Sequence, residues 1–227
     1  MNNKKQIEID SNVAKLLVDI THELRTPLIG VLGFTELLTK EVSDKLNDNQ
    51  KEYLKSIESC GRFQLNIINN LIELLKCTFN HFKMNIEQVV MEDLIDSFIS
   101  FAEHDLKLDR QKIIKDISPE VEFIHVDINK FKLIVVNLLS TFLKKEMKGE
   151  LKFNAIKDEK DFILKITYSC IDCNEKMVDF DNLENSSEDS YITLSLTKKL
   201  VELHEGKINF SKNDCNCFCE IRIPGRD

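Results

Sequence analysis

Thr21-His22-Glu23-Leu24-Arg25-Thr26-Pro27-Leu28 places a histidine, an adjacent carboxylate and a hydroxyl four residues on within about one turn of a helix. Around it Val13, Leu16, Leu17, Ile20, Leu24, Leu28, Val31 and Leu38 recur at helical spacing and define an apolar stripe that faces a partner helix. His22 lies two residues from both Ile20 and Leu24, roughly 160° from that stripe, and is expected to point to solvent. Thr26, one turn on, projects over the same surface. Glu23 stands close enough to accept from one imidazole nitrogen, which leaves the other free to attack phosphorus. Pro27 gives no proton to the carbonyl of Glu23 and crowds it, so a bend is expected at the reactive turn. A surface histidine in an ordinary amphipathic helix is the competing reading. It does not account for the whole string.

Thr21 to Leu38, THELRTPLIGVLGFTELL, resembles the phosphoacceptor box of two-component sensor histidine kinases of the class whose dimerisation domain is a helical hairpin. The resemblance implies that His22 is the phosphoacceptor, Glu23 its acid/base partner, and Thr26 the group that helps position water when a receiver is dephosphorylated. It also implies a response-regulator receiver domain as partner.

The 227 residues suffice for a small hairpin domain plus one compact domain with its own core. A net charge of −8 and the lack of a basic stripe with interleaved aromatics argue against nucleic acid as a partner. The polar first ten residues do not read as a secretory signal, and no window reaches the apolar length of a membrane span, so a cytoplasmic protein with no membrane partner is expected. Seven cysteines then point to free thiols in a reducing compartment. Cys170-Ile171-Asp172-Cys173 and Cys215-Asn216-Cys217-Phe218-Cys219 admit a soft-metal reading. The alternation of Cys217, Cys219, Ile221 and Ile223 with Phe218, Glu220 and Arg222 instead reads as a strand with small apolar residues on its buried face, so no metal site is expected.

Periodicity predicts a helix over about residues 5–42, a polar turn over 43–49 and a second helix to about 80, bearing Ile57, Cys60, Gln64, Ile67, Ile68, Leu71, Leu74 and Leu75 on one side. One such hairpin has too little core to stand alone, so a homodimer forming a four-helix bundle is expected. Gly30 and Gly33 lie inside the first helix despite their poor propensity; close approach of a receiver and loose packing in the bundle both account for them. Beyond a connector near residues 81–85, strands are predicted near 85–89, 111–115, 122–126, 150–156, 162–168, 206–210 and 218–223, with helices near 92–108, 128–148 and 192–204. The fold class is therefore an α-helical hairpin over residues 1–82 followed by a layered α/β sandwich over 83–227. The second part resembles the ATP-binding domain of the histidine kinases.

That second resemblance is uneven. Asp127 to Lys145, with Val136-Asn137-Leu138-Leu139-Ser140, is similar to the family's nucleotide helix; it places Asn137 at the first asparagine position and Lys144 at the phosphate-facing lysine, both implied as cofactor-binding. Thr141 replaces the second asparagine, and a hydroxyl is a poor substitute where Mg²⁺ demands well-placed oxygens. Ser169-Cys170-Ile171-Asp172-Cys173 stands where the family has an Asp-x-Gly-x-Gly loop, with Asp172 a shifted candidate for the adenine-reading carboxylate. No glycine occurs from Glu150 through Glu205, where a lid must turn tightly around phosphates. The acidic stretch from Asp179 to Asp189 reads as a solvated loop.

The favoured function is thus a dimeric phosphorelay component that carries a phosphoryl group on His22 and exchanges it with, or removes it from, a receiver aspartate, with no cofactor required of this chain. One alternative is an ATP-dependent histidine autokinase with a divergent lid, using Mg²⁺ and ATP. The other is a non-catalytic module that binds receivers or pairs with a separate kinase.

Overall fold

The computed structural model describes residues 2–79, 83–106, 108–109, 112–142, 149–170, 188–213 and 216–226. They form two compact units, Met1–Phe82 and Lys83–Asp227.

The first unit is a hairpin of α1 (Asn2–Val42) and α2 (Asp48–Thr78), joined through a short 3-10 turn at Ser43–Lys45. Asn47 starts α2 with a reciprocal cap: its Oδ1 accepts the Gln50 N–H at 2.9 Å while Gln50 Oε1 accepts the Asn47 N–H at 3.0 Å. Two orphan amides of the first turn are thereby satisfied. Between the helices, Gly61 lets α2 approach α1, since a Cβ there would stand 2.8 Å from Leu32 Cδ2. Gly30 and Gly33 differ, because a Cβ at either meets nothing within 4 Å. Packing inside the hairpin does not require them.

The second unit opens with β1 (Glu87–Val90), then α3 (Met91–His104), β2 (Ile113–Ile117), β3 (Phe123–Val126), α4 (Ile128–Phe142), β4 (Gly149–Asp158), β5 (Asp161–Cys170), α5 (Glu188–Leu203), β6 (Lys207–Asn213) and β7 (Asn216–Ile223). β1 and β3 pair antiparallel as a two-stranded sheet. The main sheet runs β2-β4-β5-β7-β6, with β2 parallel to β4 and every other pair antiparallel. One face carries Leu151, Phe153, Leu164, Ile166, Tyr168, Cys219 and Ile221, all buried in the core with Ile95 and Phe98 of α3, Phe131, Ile134 and Leu138 of α4, and Leu200 of α5. Rings of Phe98, Phe131 and Phe153 stack at 6.1–6.3 Å between centroids. Each such side chain contributes about 1.5–3 kcal/mol when fully buried. On the other face, Arg222 reaches Asp158 at 2.8 Å and Asp161 at 3.2 Å, clasping the β4–β5 turn.

Among the boundaries that differ from the sequence expectation, two helix ends have a local reason. α3 stops at His104 rather than near residue 108, because the Leu108 N–H reaches back to the Ala102 carbonyl at 3.0 Å and unwinds the last turn. α5 stops at Leu203 in a left-handed cap: the Glu205 N–H meets the Glu202 carbonyl at 2.8 Å and the Gly206 N–H meets Val201 at 2.9 Å. Glu205 itself takes φ 61°, a conformation that disfavours any residue with a Cβ. Glu205→Gly is therefore expected to raise stability by about 1 kcal/mol, offset only slightly by losing its exposed ion pair with Arg226. Denaturant titration of the full chain reads this; an unchanged or lower midpoint would contradict it.

Candidate functional site

α1 places His22 and Thr26 one turn apart on its exposed side, with Glu23 exposed beside them. The Thr26 hydroxyl donates back to the His22 carbonyl at 3.3 Å. Its two lone pairs stay open on the surface the imidazole occupies. Among the described residues no hydrogen bond joins Glu23 to the His22 ring, so both ring nitrogens are open to an incoming group. Level with this turn, Arg25 Nη2 donates to Asn69 Oδ1 of α2 at 2.7 Å and ties the two helices together beside the histidine. Pro27 lies inside the continuous helix.

The stripe opposite His22 is laid bare in the single chain. Leu16, Ile20, Leu24, Val31 and Leu38 are exposed, Leu24 at 52%, while Val13 lies outside the residues whose side chains are described. Leu24, Pro27, Leu28 and Val31 of α1 with Gln64, Ile67 and Ile68 of α2 line an apolar groove of about 470 Å³. Ile29 and Leu37 are also exposed, at positions around the helix close to His22.

In the second unit, Asn137 lies in α4 with 1% of its surface exposed, and its Nδ2 has no hydrogen-bond partner among the described residues. An orphaned buried amide costs about 1–3 kcal/mol, so this donor calls for an acceptor beyond the described residues. A phosphate or ribose oxygen is such an acceptor. Thr141 spends its hydroxyl proton on the Asn137 carbonyl at 2.8 Å. Lys144 and Asp172 lie outside the described residues, as do 171–187 of the expected lid region.

The strand carrying Cys217 and Cys219 alternates buried and half-buried as its pattern requires. Burial pushes the Cys219 thiol well above its usual range, which makes it a poor thiolate ligand. Among the described residues no group of three or more His, Cys, Asp or Glu stands where it could hold a metal ion, and no helix is long and apolar enough to cross a membrane.

Sequence reading missed a polar junction built on Asp127 and His204. Asp127 Oδ1 accepts the Lys130 N–H at 3.1 Å and so caps α4, while its Oδ2 accepts the Asn85 N–H at 3.0 Å. His204, 1% exposed, accepts the Asp127 backbone N–H at Nε2, 3.2 Å away, and donates from Nδ1 to the Leu200 carbonyl at 2.7 Å. Aspartate is a residue type that starts helices, and that signal at Asp127 was available. The histidine's partner was not.

Residues 13–76 match the family described as the His Kinase A (phospho-acceptor) domain. Among curated proteins, the chain is 26% identical over 216 residues to "Histidine protein kinase 1" of Candida albicans, which covers 88% of this chain and 9% of that protein. It is also 26% identical over 212 residues to the circadian input-output histidine kinase CikA of Synechococcus elongatus, covering 87% of this chain and 28% of that one. The chain thus spans less than a third of the length of either relative. Among solved structures, the Acinetobacter baumannii histidine kinase AdeS superposes with a TM-score of 0.62 at 18% identity, covering 91% of this chain and 98% of that one. Histidine kinase ThkA, solved in complex with response regulator protein TrrA, gives 0.63 at 14% identity, covering all of this chain and 67% of that one.

Proposed function

We propose that this chain, of the histidine kinase family of two-component signalling, carries a phosphoryl group on His22 and exchanges it with the aspartate of a response-regulator receiver domain. The observation that carries the proposal is the exposed His22 with both ring nitrogens open, one turn from Thr26, in a segment matching a phospho-acceptor domain. A neutral ring nitrogen attacks the phosphorus of the receiver's aspartyl phosphate. The N–P bond forms as the P–O bond to the aspartate breaks, and the carboxylate leaves with the electron pair. Glu23 takes up the charge that develops on the imidazole, and in the reverse direction the phosphoryl group returns to a carboxylate.

The working unit is a homodimer. Two copies of the exposed α1 stripe cover one another as a four-helix bundle, which supplies the core that one hairpin lacks. The open space over Gly30 and Gly33 favours close approach of a receiver below the histidine. ThkA, which has this fold, was solved in complex with a response regulator.

The test charges purified receiver domains with labelled acetyl phosphate and mixes them with the full chain and with its His22→Gln variant. Label moving onto the chain but not onto the variant supports the proposal. Receivers that neither lose label to the chain nor lose phosphate faster in its presence would sink it. Thr26 gives a finer reading. Thr26→Ala is expected to slow chain-dependent loss of receiver phosphate to water by about 10²-fold, the scale of misplacing one reactant, while label still reaches His22. Equal loss of both activities would deny Thr26 a separate role in placing water.

A second reading, ATP-dependent autophosphorylation of His22, is favoured by the buried unpaired Nδ2 of Asn137. Asn137 would hold the nucleotide and Lys144 its phosphates; bound ATP with Mg²⁺ would supply the phosphoryl donor. Incorporation of label from Mg·ATP with a His22→Gln control tests it, and a folded chain that takes none contradicts it.

A further inference from the structure

The junction at Asp127 joins three parts of the second unit through one residue. Its carboxylate holds the Asn85 N–H, near the point where this unit begins, and the Lys130 N–H in the first turn of α4. Its own backbone N–H is held by His204, at the C-terminal end of α5. Chemistry fixes the tautomer. The Leu200 carbonyl only accepts, so the proton sits on Nδ1, and the Asp127 N–H only donates, so Nε2 must be bare. The ring is buried edge-on against Phe131, 5.9 Å between centroids. A second proton on the ring has one place to go, Nε2, where it faces the Asp127 N–H.

We propose that His204 is a proton-operated latch: protonation at Nε2 expels the Asp127 backbone N–H, displaces the Asp127 carboxylate, and releases Asn85 and the first turn of α4 together. The charged groups acting on the ring are Asp127, which favours the imidazolium, and Arg226, which opposes it and is itself paired with Glu205 at 3.1 Å. Burial is the largest influence and holds the imidazole below its ordinary value of 6.5. Since the folded-state value lies below the unfolded one, the latch's contribution is complete above pH 6.5 and is lost as pH falls through the folded value. The latch is distinct from the chemistry proposed at His22, because it lies wholly within the second unit.

The experiment follows amide hydrogen exchange of the full chain from pH 7.5 to pH 4.5, corrected for intrinsic rates, at Asn85, Asp127, Lys130 and, as a core reference, Leu164. His204→Gln is compared, since its side-chain oxygen can accept the same N–H but does not titrate. The expected result is a loss of protection of roughly tenfold at Asn85, Asp127 and Lys130 on acidification, the scale of one hydrogen bond, with Leu164 still protected. In His204→Gln that step is absent. The same step in His204→Gln, or a loss at Leu164 equal to the others, overturns the latch, as does constant protection across the range. If His204→Gln does not fold, the wild-type chain still decides: the Asn85 amide shift must follow the ¹⁵N titration of the His204 ring, and independent titrations refute the proposal.

Discussion

His22→Gln is expected to lower phosphoryl transfer from a charged receiver by roughly 10⁴- to 10⁶-fold, the scale on which removing a nucleophile acts. Stability should move by no more than about 0.5 kcal/mol, because the side chain is exposed and no hydrogen bond among the described residues depends on its ring. Two features make this a sharp comparison. The turn around His22 is held by Arg25 on Asn69 and by the α1–α2 contact, so losing the imidazole leaves the helix in place. Glutamine keeps a polar amide near the same position yet supplies no nucleophilic nitrogen, so the loss of transfer could not be assigned to a lost docking surface. Single-turnover transfer and thermal unfolding, measured on the same preparations, read the two effects separately. Transfer that survives within tenfold would mean the phosphoryl group rests elsewhere, and the reading of α1 as an acceptor would fail. A variant that loses transfer along with several kcal/mol of stability would instead make His22 a structural residue.

The hairpin was legible because its physics is periodic. Apolar residues every three or four positions in α1 and α2 specify two helices whatever their partners, and the Asn47–Gln50 pair marks where the second begins. β7 was legible for the same reason at a different period, with Cys217, Cys219, Ile221 and Ile223 all buried. What escaped were features set by distant residues. Ile163 points to the face of β5 opposite Leu164 and still has 3% of its surface exposed, between its cross-strand neighbours Ile156 and Arg222. No local pattern announces that a side chain on this face will be buried. His204 reads as a helix-end residue, and its bond to Asp127 spans 77 positions of chain. The exposed placement of His22 and Thr26 could be read because one helix contains both. The expected nucleotide motifs could be read only in fragments, because they come from separate segments of the sequence and depart from the family pattern at Thr141 and around Asp172.

Asn137→Leu is the variant in which stability and function are expected to move in opposite directions. Leucine has the same γ-branched skeleton as asparagine with bulkier methyl groups at its tip, occupies a helix more readily, and brings no polar atom into a position with 1% exposure. The wild-type Nδ2 stands there without a partner among the described residues. Removing it should stabilise the second unit by about 1–2 kcal/mol in denaturant titration, within the cost of one unsatisfied buried donor. The Thr141 bond to the Asn137 carbonyl is a backbone contact and survives the change. If the amide is kept for a nucleotide, the wild-type chain gains stability with Mg·ATP by mass action and the variant gains none. A chain that keeps an unsatisfied amide at this cost, and loses a ligand response with it, uses α4 to hold a phosphate-bearing ligand. A variant less stable than wild type would show that the amide is satisfied by the fold itself, and the support for ATP-dependent phosphorylation would go with it.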